Sequence, residues 1–264
     1  KFQKLGQKLY KSAKHMAHLY LDNCYDDQAV AQMKSTDGDS LTLKDWITTD
    51  ELGKLRRMFD KIKWPEHGTV SKYAGLSYRD PIGKPVQEIF EQKLHETIGD
   101  HRLDFFAFQE AINPWKIHAD LRWYSDKVPH KVILVPLDVI SNEHSDVWAD
   151  THSIAFDQRN YLRRPRGNGD IEGNVDQDSW LRPIDDQQVE EFSTGYSIDQ
   201  ATHEKYFSHV PYEYLEGLTI NNIFRWNPCD AVVWDQSQLH CADNFLANNI
   251  KTKYSLIFFT NQIG

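Results

Sequence analysis

In the stretch NPWKIHADLRWY, Asn113 to Tyr124, a histidine and an aspartate stand two residues apart among aromatic, apolar and basic side chains. On an extended backbone, residues i and i+2 point to the same side, so His118 and Asp120 would present an imidazole and a carboxylate together. Such a pair offers two ligands to a metal ion. A third has to come from elsewhere in the chain, and VVWDQSQLHCADN offers His240 where a strand meets a loop.

By itself His-X-Asp is a weak motif. The chain contains a second one in NEHSDVW, His144 and Asp146, but that one falls in a polar turn after a strand and reads as a solvated loop. His118 and Asp120 instead lie between two strand-like segments, LDFFAFQEAI and KVILVPLDV. Two histidines and one carboxylate on one face of a metal leave its other positions open, an arrangement that suits non-haem Fe(II) and oxygen chemistry.

The elements that must hold these groups follow from hydrophobic period. TTDELGKLRRMFDKIKW and KPVQEIFEQKLHETIG carry apolar residues at three-to-four spacing, so they predict helices; Thr49 or Asp50 would cap the first, and Pro85 sits where the second can begin. HGTVSKYAGLSYRDPIGKP between them should be loop or short strand. From about residue 103, LDFFAFQEAI, KVILVPLDV, HSIAFDQ, TINNIFRW, DAVVWDQ and KYSLIFFT are short, aromatic and β-branched, and they predict strands. The expected architecture is therefore a single domain over 1–264, mainly β, with helices in 1–100 supporting a barrel or sandwich in 101–264. A long connection from about Arg159 to Gly217 interrupts the strands, as a lid or binding insert would.

Composition narrows the function. Hydrophobic residues are 40% and charged residues 26% of 264, typical of a globular chain, and no apolar run approaches the ~20 residues of a membrane span. A net charge of −9 argues against a general grip on nucleic acid or anionic lipid. Three cysteines, Cys24, Cys229 and Cys241, make no disulfide framework, so a reducing, cytoplasmic setting is expected. The chain opens on lysine, which leaves room for an upstream methionine or leader. Its first residues, KFQKLGQKLYKSAKHMAHLYLD, read as an amphipathic helix.

A helical start, a His-X-Asp between strands, a distal histidine and a basic residue opening the last strand in NIKTKYSLIFFTN together resemble the Fe(II)/2-oxoglutarate-dependent dioxygenases. The resemblance spans most of the chain from about Leu43, the insert excepted. It implies a double-stranded β-helix, or jelly roll, with His118, Asp120 and His240 binding Fe(II). It also implies 2-oxoglutarate as co-substrate, its distal carboxylate held by Lys253, and O2 as oxidant. Charge-assisted pairing of that kind is worth roughly 1.5–3 kcal/mol. Lysine is a less specific carboxylate partner than the arginine common in the family, and Lys251 and Lys131 are alternatives.

The implied reaction converts 2-oxoglutarate to succinate and carbon dioxide while hydroxylating an unactivated C–H bond. Because Asp120 is present, hydroxylation is expected over halogenation. The expected substrate is a small polar molecule such as an amino acid or related metabolite. Hydroxylation of a peptide or protein side chain is the alternative, as is a metal-binding or sugar-binding jelly roll without oxygenase chemistry. A nucleic-acid oxygenase using Arg159, Arg163, Arg164 and Arg166 ranks below these; pairing of that cluster with the acidic DDQQVEE is the simpler account.

Further residues are weighed against ordinary packing. Trp234 and Gln236 share the parity of His240 and are expected to line the site, with Cys241 facing away. Arg122 is placed to reach the mouth of the pocket, and Tyr78 and Arg79 lie in a loop where substrate contacts are common. His130, His152, His203 and His209 read as surface or structural groups, although a barrel strand can aim His152 inward.

Overall fold

The computed structural model of the protein describes residues 27–62, 64, 71–77, 79–121, 127–141, 151–161 and 195–263. The expectations for the first helix, for Tyr78, Arg122, His144 and Asp146, and for Arg163, Arg164 and Arg166 fall outside these residues.

Nine described strands form two antiparallel sheets: β1 (Leu41–Leu43), β2 (Ser71–Leu76), β3 (Arg102–Ala111), β4 (Pro129–Ser141), β5 (His152–Arg159), β6 (Ile220–Arg225), β7 (Ala231–Asp235), β8 (Gln238–Ala242) and β9 (Ile250–Asn261). The larger sheet has the order β1-β7-β4-β9-β3-β2 and the smaller β6-β5-β8. Every strand after residue 100 matches a segment expected from sequence except β8, which is separated from β7 by a turn at Gln236 and Ser237. Residues 27–100 are not purely helical support. β1 pairs with β7 and β2 with β3, so this region supplies both edge strands of the larger sheet.

Alternation along the strands sorts the core into layers. Ile133, Val135, Leu256 and Phe258 point outward with Phe106 and Phe108, and pack against Leu52 and Leu55 of helix α2 (Thr49–Phe59) and Val86, Phe90 and Leu94 of helix α3 (Gly83–Ile98). Their neighbours Val132, Leu134, Ile257 and Phe259 pack with Phe224, Trp226, Val232, Trp234 and Phe245 between the sheets. A third cluster covers the smaller sheet, where Ile154, Phe156, Leu239 and Cys241 meet Ile198, Phe207, Val210, Leu215 and Leu218.

That third cluster revises the reading of the insert. Its described part, 195–217, is not structureless: it carries a helical turn (Gln200–Thr202) continuing as a π turn (His203–Phe207) and a 3-10 turn (Tyr212–Leu215). The cap of α2 also shifts by one residue. Thr48, not Thr49 or Asp50, accepts the Glu51 N–H at 3.1 Å, while Glu51 accepts the Thr48 N–H at 2.7 Å, a reciprocal capping box. Helix α1 (Asp27–Ser35) packs Met33 against Leu121 and Tyr161, and no described helix is long and apolar enough to cross a membrane.

Candidate metal centre

His118 and Asp120 lie in an extended segment after β3 rather than in a strand. His118 forms an isolated antiparallel bridge with His240, its N–H donating at 2.9 Å and its carbonyl accepting at 2.8 Å. Two residues on, the Asp120 N–H donates to the Gln236 carbonyl at 2.8 Å. These bonds bring the His-X-Asp pair alongside β8, and the side chains converge. Ligand atoms of His118, Asp120 and His240 all lie within 4.8 Å of one another, the one such group of three or more among the described residues.

Both imidazoles are oriented by their outer nitrogen. His118 Nδ1 is 2.7 Å from the Lys116 carbonyl and His240 Nδ1 is 2.9 Å from the Gln238 carbonyl. A carbonyl only accepts, so each Nδ1 donates to it and each Nε2 is the nitrogen turned toward the cluster. The Nε2 atoms stand 3.7 Å (His118) and 3.2 Å (His240) from oxygens of Asp120. Trp234 completes the cage, its Nε1–H donating to Asp120 Oδ2 at 3.2 Å and its ring 4.6 Å from that of His240. Burial opposes ionisation of Asp120, but His240, His118 and the Trp234 hydrogen bond outweigh it and hold the carboxyl well below the usual carboxylate range. Two imidazoles that present Nε2 and one ionised carboxylate are a donor set that fits a divalent transition metal.

The cluster forms one wall of a cleft of about 510 Å³, lined also by Tyr73, Gln109, Trp115, Trp226 and Lys253. Lys253 is only 2% exposed. It lies between the sheets because it alternates with Ser255, Ile257 and Phe259 on the inner face of β9, opposite Ala111 of β3 and Val139 of β4. Its two rivals are elsewhere. Lys251 is exposed, since the register of β9 against β4 slips between Ile140 and Ser141 and breaks the expected parity at that residue. Lys131 bonds Asp235 and the Thr36 carbonyl, away from the cleft lining.

Other expectations divide. Trp234 lines the cleft, but Gln236 does not: the turn between β7 and β8 ends the shared parity, and its side chain donates to the Thr260 carbonyl. Cys241 packs into the outer cluster, as expected. Arg79 is exposed in the turn before α3 and is not part of the cleft lining. Among the described residues Arg159 pairs with Asp235 at 3.0 Å and with Asp37 at 3.5 Å; the acidic segment of the insert lies outside them. His130 and His203 bond backbone carbonyls, and His209 does so with Trp115, its pKa pushed down to about 4 by burial.

Several cleft groups were missed in the sequence. Gln109 donates to the Tyr73 hydroxyl at 2.7 Å and accepts from Ser255 at 3.0 Å, and its one signal was a polar residue amid the apolar run of β3. Asp243, fully buried beside Lys253, had no signal in spacing.

No family model and no curated protein matches the chain. Solved structures do. The chain is similar to the non-heme α-ketoglutarate-dependent epimerase SnoN from nogalamycin biosynthesis, at 12% identity and a TM-score of 0.50, over 89% of this chain and 82% of that one. It is also similar to an oxidoreductase of the 2OG-Fe(II) oxygenase family from Burkholderia pseudomallei, at 9% identity and TM-score 0.47 over 90% and 92% of the two chains. HygX from Streptomyces hygroscopicus, with nickel and 2-oxoglutarate bound, shows 12% identity and TM-score 0.46 over 90% and 88%. The chain shares with the first of these the double-stranded β-helix fold. At this identity the likeness is one of architecture, and activity has to be argued from the site.

Proposed function

We propose that the protein is a non-haem Fe(II)- and 2-oxoglutarate-dependent oxygenase that hydroxylates an unactivated C–H bond of a small polar substrate, such as an amino acid or related metabolite. One observation carries the reading: the donor atoms of His118, Asp120 and His240 converge within 4.8 Å on the wall of a cleft that also contains a buried lysine. The three would hold iron, and Lys253 would hold the distal carboxylate of 2-oxoglutarate. Iron with 2-oxoglutarate and dioxygen supplies the oxidising power, and the 2-oxo acid leaves as succinate and carbon dioxide.

The remaining tasks belong to the chain. The Lys116 and Gln238 carbonyls keep both imidazoles in the tautomer that presents Nε2. Trp234 holds one oxygen of Asp120 in place, so the carboxylate need not reorganise when metal enters. Leu134, Trp226, Phe245 and Ile257 exclude water around the Lys253 ammonium, which strengthens its pairing with a carboxylate. Tyr73 and Gln109 present polar groups on the same cleft. Because an epimerase shares the fold, the outcome of C–H oxidation is set by which substrate atom is held near the metal.

Anaerobic titration of metal-free protein with Fe(II) and then 2-oxoglutarate tests the reading. A visible absorption band on adding 2-oxoglutarate, lost in Asp120→Ala and requiring far more 2-oxoglutarate in Lys253→Ala, is expected. Iron binding with no band at any concentration would mean a metal-binding jelly roll of another kind. Product analysis over a panel of amino acids, small metabolites and peptides then tests the substrate class. Turnover of peptides alone would replace the small-molecule reading.

A further inference from the structure

We infer that Asp243 is the positioning residue for the co-substrate cation: it holds the Lys253 ammonium, together with the His152 carbonyl, at the cleft wall in the state that can pair with a carboxylate. The inference rests on the 2-oxoglutarate reading of Lys253. Asp243 is completely buried and Lys253 nearly so, and a buried ammonium is costly unless something nearby compensates it. Compensation comes from several sides. Lys253 Nζ donates to the His152 carbonyl at 2.9 Å, stands 3.8 Å from Asp243 Oδ1, and lies 3.9 Å from the centre of the Trp226 ring and 5.4 Å from that of Phe245.

These contacts differ in kind. At 3.8 Å the carboxylate is too far for a good hydrogen bond but close enough for strong attraction in a dry interior. The rings likewise offer charge stabilisation without accepting a directed bond from the ammonium as a carboxylate oxygen would. An ammonium has three donors, and the carbonyl takes one. The charge is thus stabilised while donor capacity remains for a carboxylate arriving in the cleft.

Asp243 is itself held in place. Its Oδ1 accepts from the Thr151 hydroxyl at 3.1 Å, and its Oδ2 accepts from the His152 N–H at 2.7 Å and lies 3.1 Å from His152 Nδ1. The Asp243 N–H in turn donates to the His152 carbonyl at 3.2 Å, the same oxygen that receives the Lys253 proton. One residue therefore places both the counter-charge, through its side chain, and the hydrogen-bond acceptor of the lysine, through its backbone N–H.

Asp243 stands beside Lys253 with His152 behind it, Cys241 acts from the outer cluster, and Tyr73, His118, Asp120 and His240 line the same cleft. Burial pushes the Lys253 ammonium down to about 8, and Asp243 is the largest opposing influence. Removing the carboxylate's charge lowers the lysine further and leaves a neutral amine near neutral pH, which cannot form a charge-assisted bond to a carboxylate.

The test is 2-oxoglutarate affinity against pH, measured by calorimetry on protein saturated with excess Mn(II), so that no turnover is needed. Wild-type affinity should hold through neutral pH and fall above about pH 8. Asp243→Asn, close in shape but uncharged, should bind about tenfold more weakly near neutral pH and recover toward wild type as the pH is lowered and the lysine is protonated again. Lys253→Ala should be weak at every pH. Wild-type affinity and an unchanged profile in Asp243→Asn would overturn the inference, and so would a loss that acid does not restore, which is the mark of damaged packing. If Asp243→Asn does not fold, Thr151→Val, which loosens the carboxylate without deleting it, should show a smaller shift of the same sign, and an unshifted profile there overturns the inference. A different pattern would remove the parent reading: no 2-oxoglutarate binding by the wild type, or equal binding by Lys253→Ala.

Discussion

Two of the clusters of charged and ligating side chains buried among the described residues are built on opposite plans. In one, Asp235 accepts from Lys131, from Arg159 at 3.0 Å and from the Gly38 N–H at 3.0 Å, while Arg159 also reaches Asp37, which accepts from Tyr161. Two cations meet two carboxylates and every partner is supplied by the chain. In the other, His118, His240 and Asp120 turn two Nε2 atoms and a carboxylate toward one point with no lysine or arginine among them, and the outer nitrogens are tied to carbonyls, which fixes the ring orientations. The first cluster is complete within itself and fastens residues 36–38 to β5 and β7. The second is electrostatically incomplete and faces a cleft. Burial and charge alone therefore do not mark a site; an unbalanced donor set facing open space does.

Breaking the saturated cluster should have the largest effect on stability. Asp235→Ala leaves Lys131 and Arg159 buried without their main partner and should cost about 3–5 kcal/mol in denaturant unfolding. Metal affinity of the fraction that remains folded should be little changed.

The reverse is expected at the incomplete cluster. Asp120→Ala should reduce divalent metal affinity by more than about a hundredfold, since even the loss of an outer-shell partner costs 10–100-fold. Without metal, its unfolding midpoint should fall far less than that of Asp235→Ala. Equal destabilisation by the two variants would erase the contrast. Trp234→Phe sharpens it: the ring volume is largely kept but the N–H to Asp120 is lost, so metal affinity should drop about tenfold in a competition titration.

The smallest effect is a slope. His209 is kept neutral by burial, with its pKa pushed down to about 4 from the usual 6.5. The unfolded chain binds this proton first as pH falls, so stability is full above about pH 6.5 and declines toward pH 4, by at most about 1.4 kcal/mol per pH unit. His209→Gln should flatten that part of the stability curve, measured by urea unfolding at a series of pH values.

What could be read in the sequence was whatever depends on near neighbours. The helices α2 and α3 follow from apolar spacing and from a capping box whose two halves are three residues apart, although the true cap was displaced by one position. The strands from β3 to β9, β8 excepted, follow from short aromatic and β-branched runs, and alternation along β9 puts Lys253 on the face of Ser255 and Ile257 rather than that of Leu256 and Phe258. His118 and Asp120 were picked out because i and i+2 coincide on any extended backbone, strand or not.

Tertiary structure decided the rest, because it depends on register. A bridge to His240 and a bond to the Gln236 carbonyl set how close the His-X-Asp pair comes to its distal partner. A turn at Gln236 and Ser237 broke the parity that seemed to join Gln236 to His240, and a slip in β9 separated Lys251 from Lys253. Arg159 found Asp235 and Asp37, and Asp243 found Lys253. Side-chain period is a local property of each strand, whereas which charges meet is fixed by how strands from distant parts of the chain are aligned, and one residue of slip is enough to change every partner.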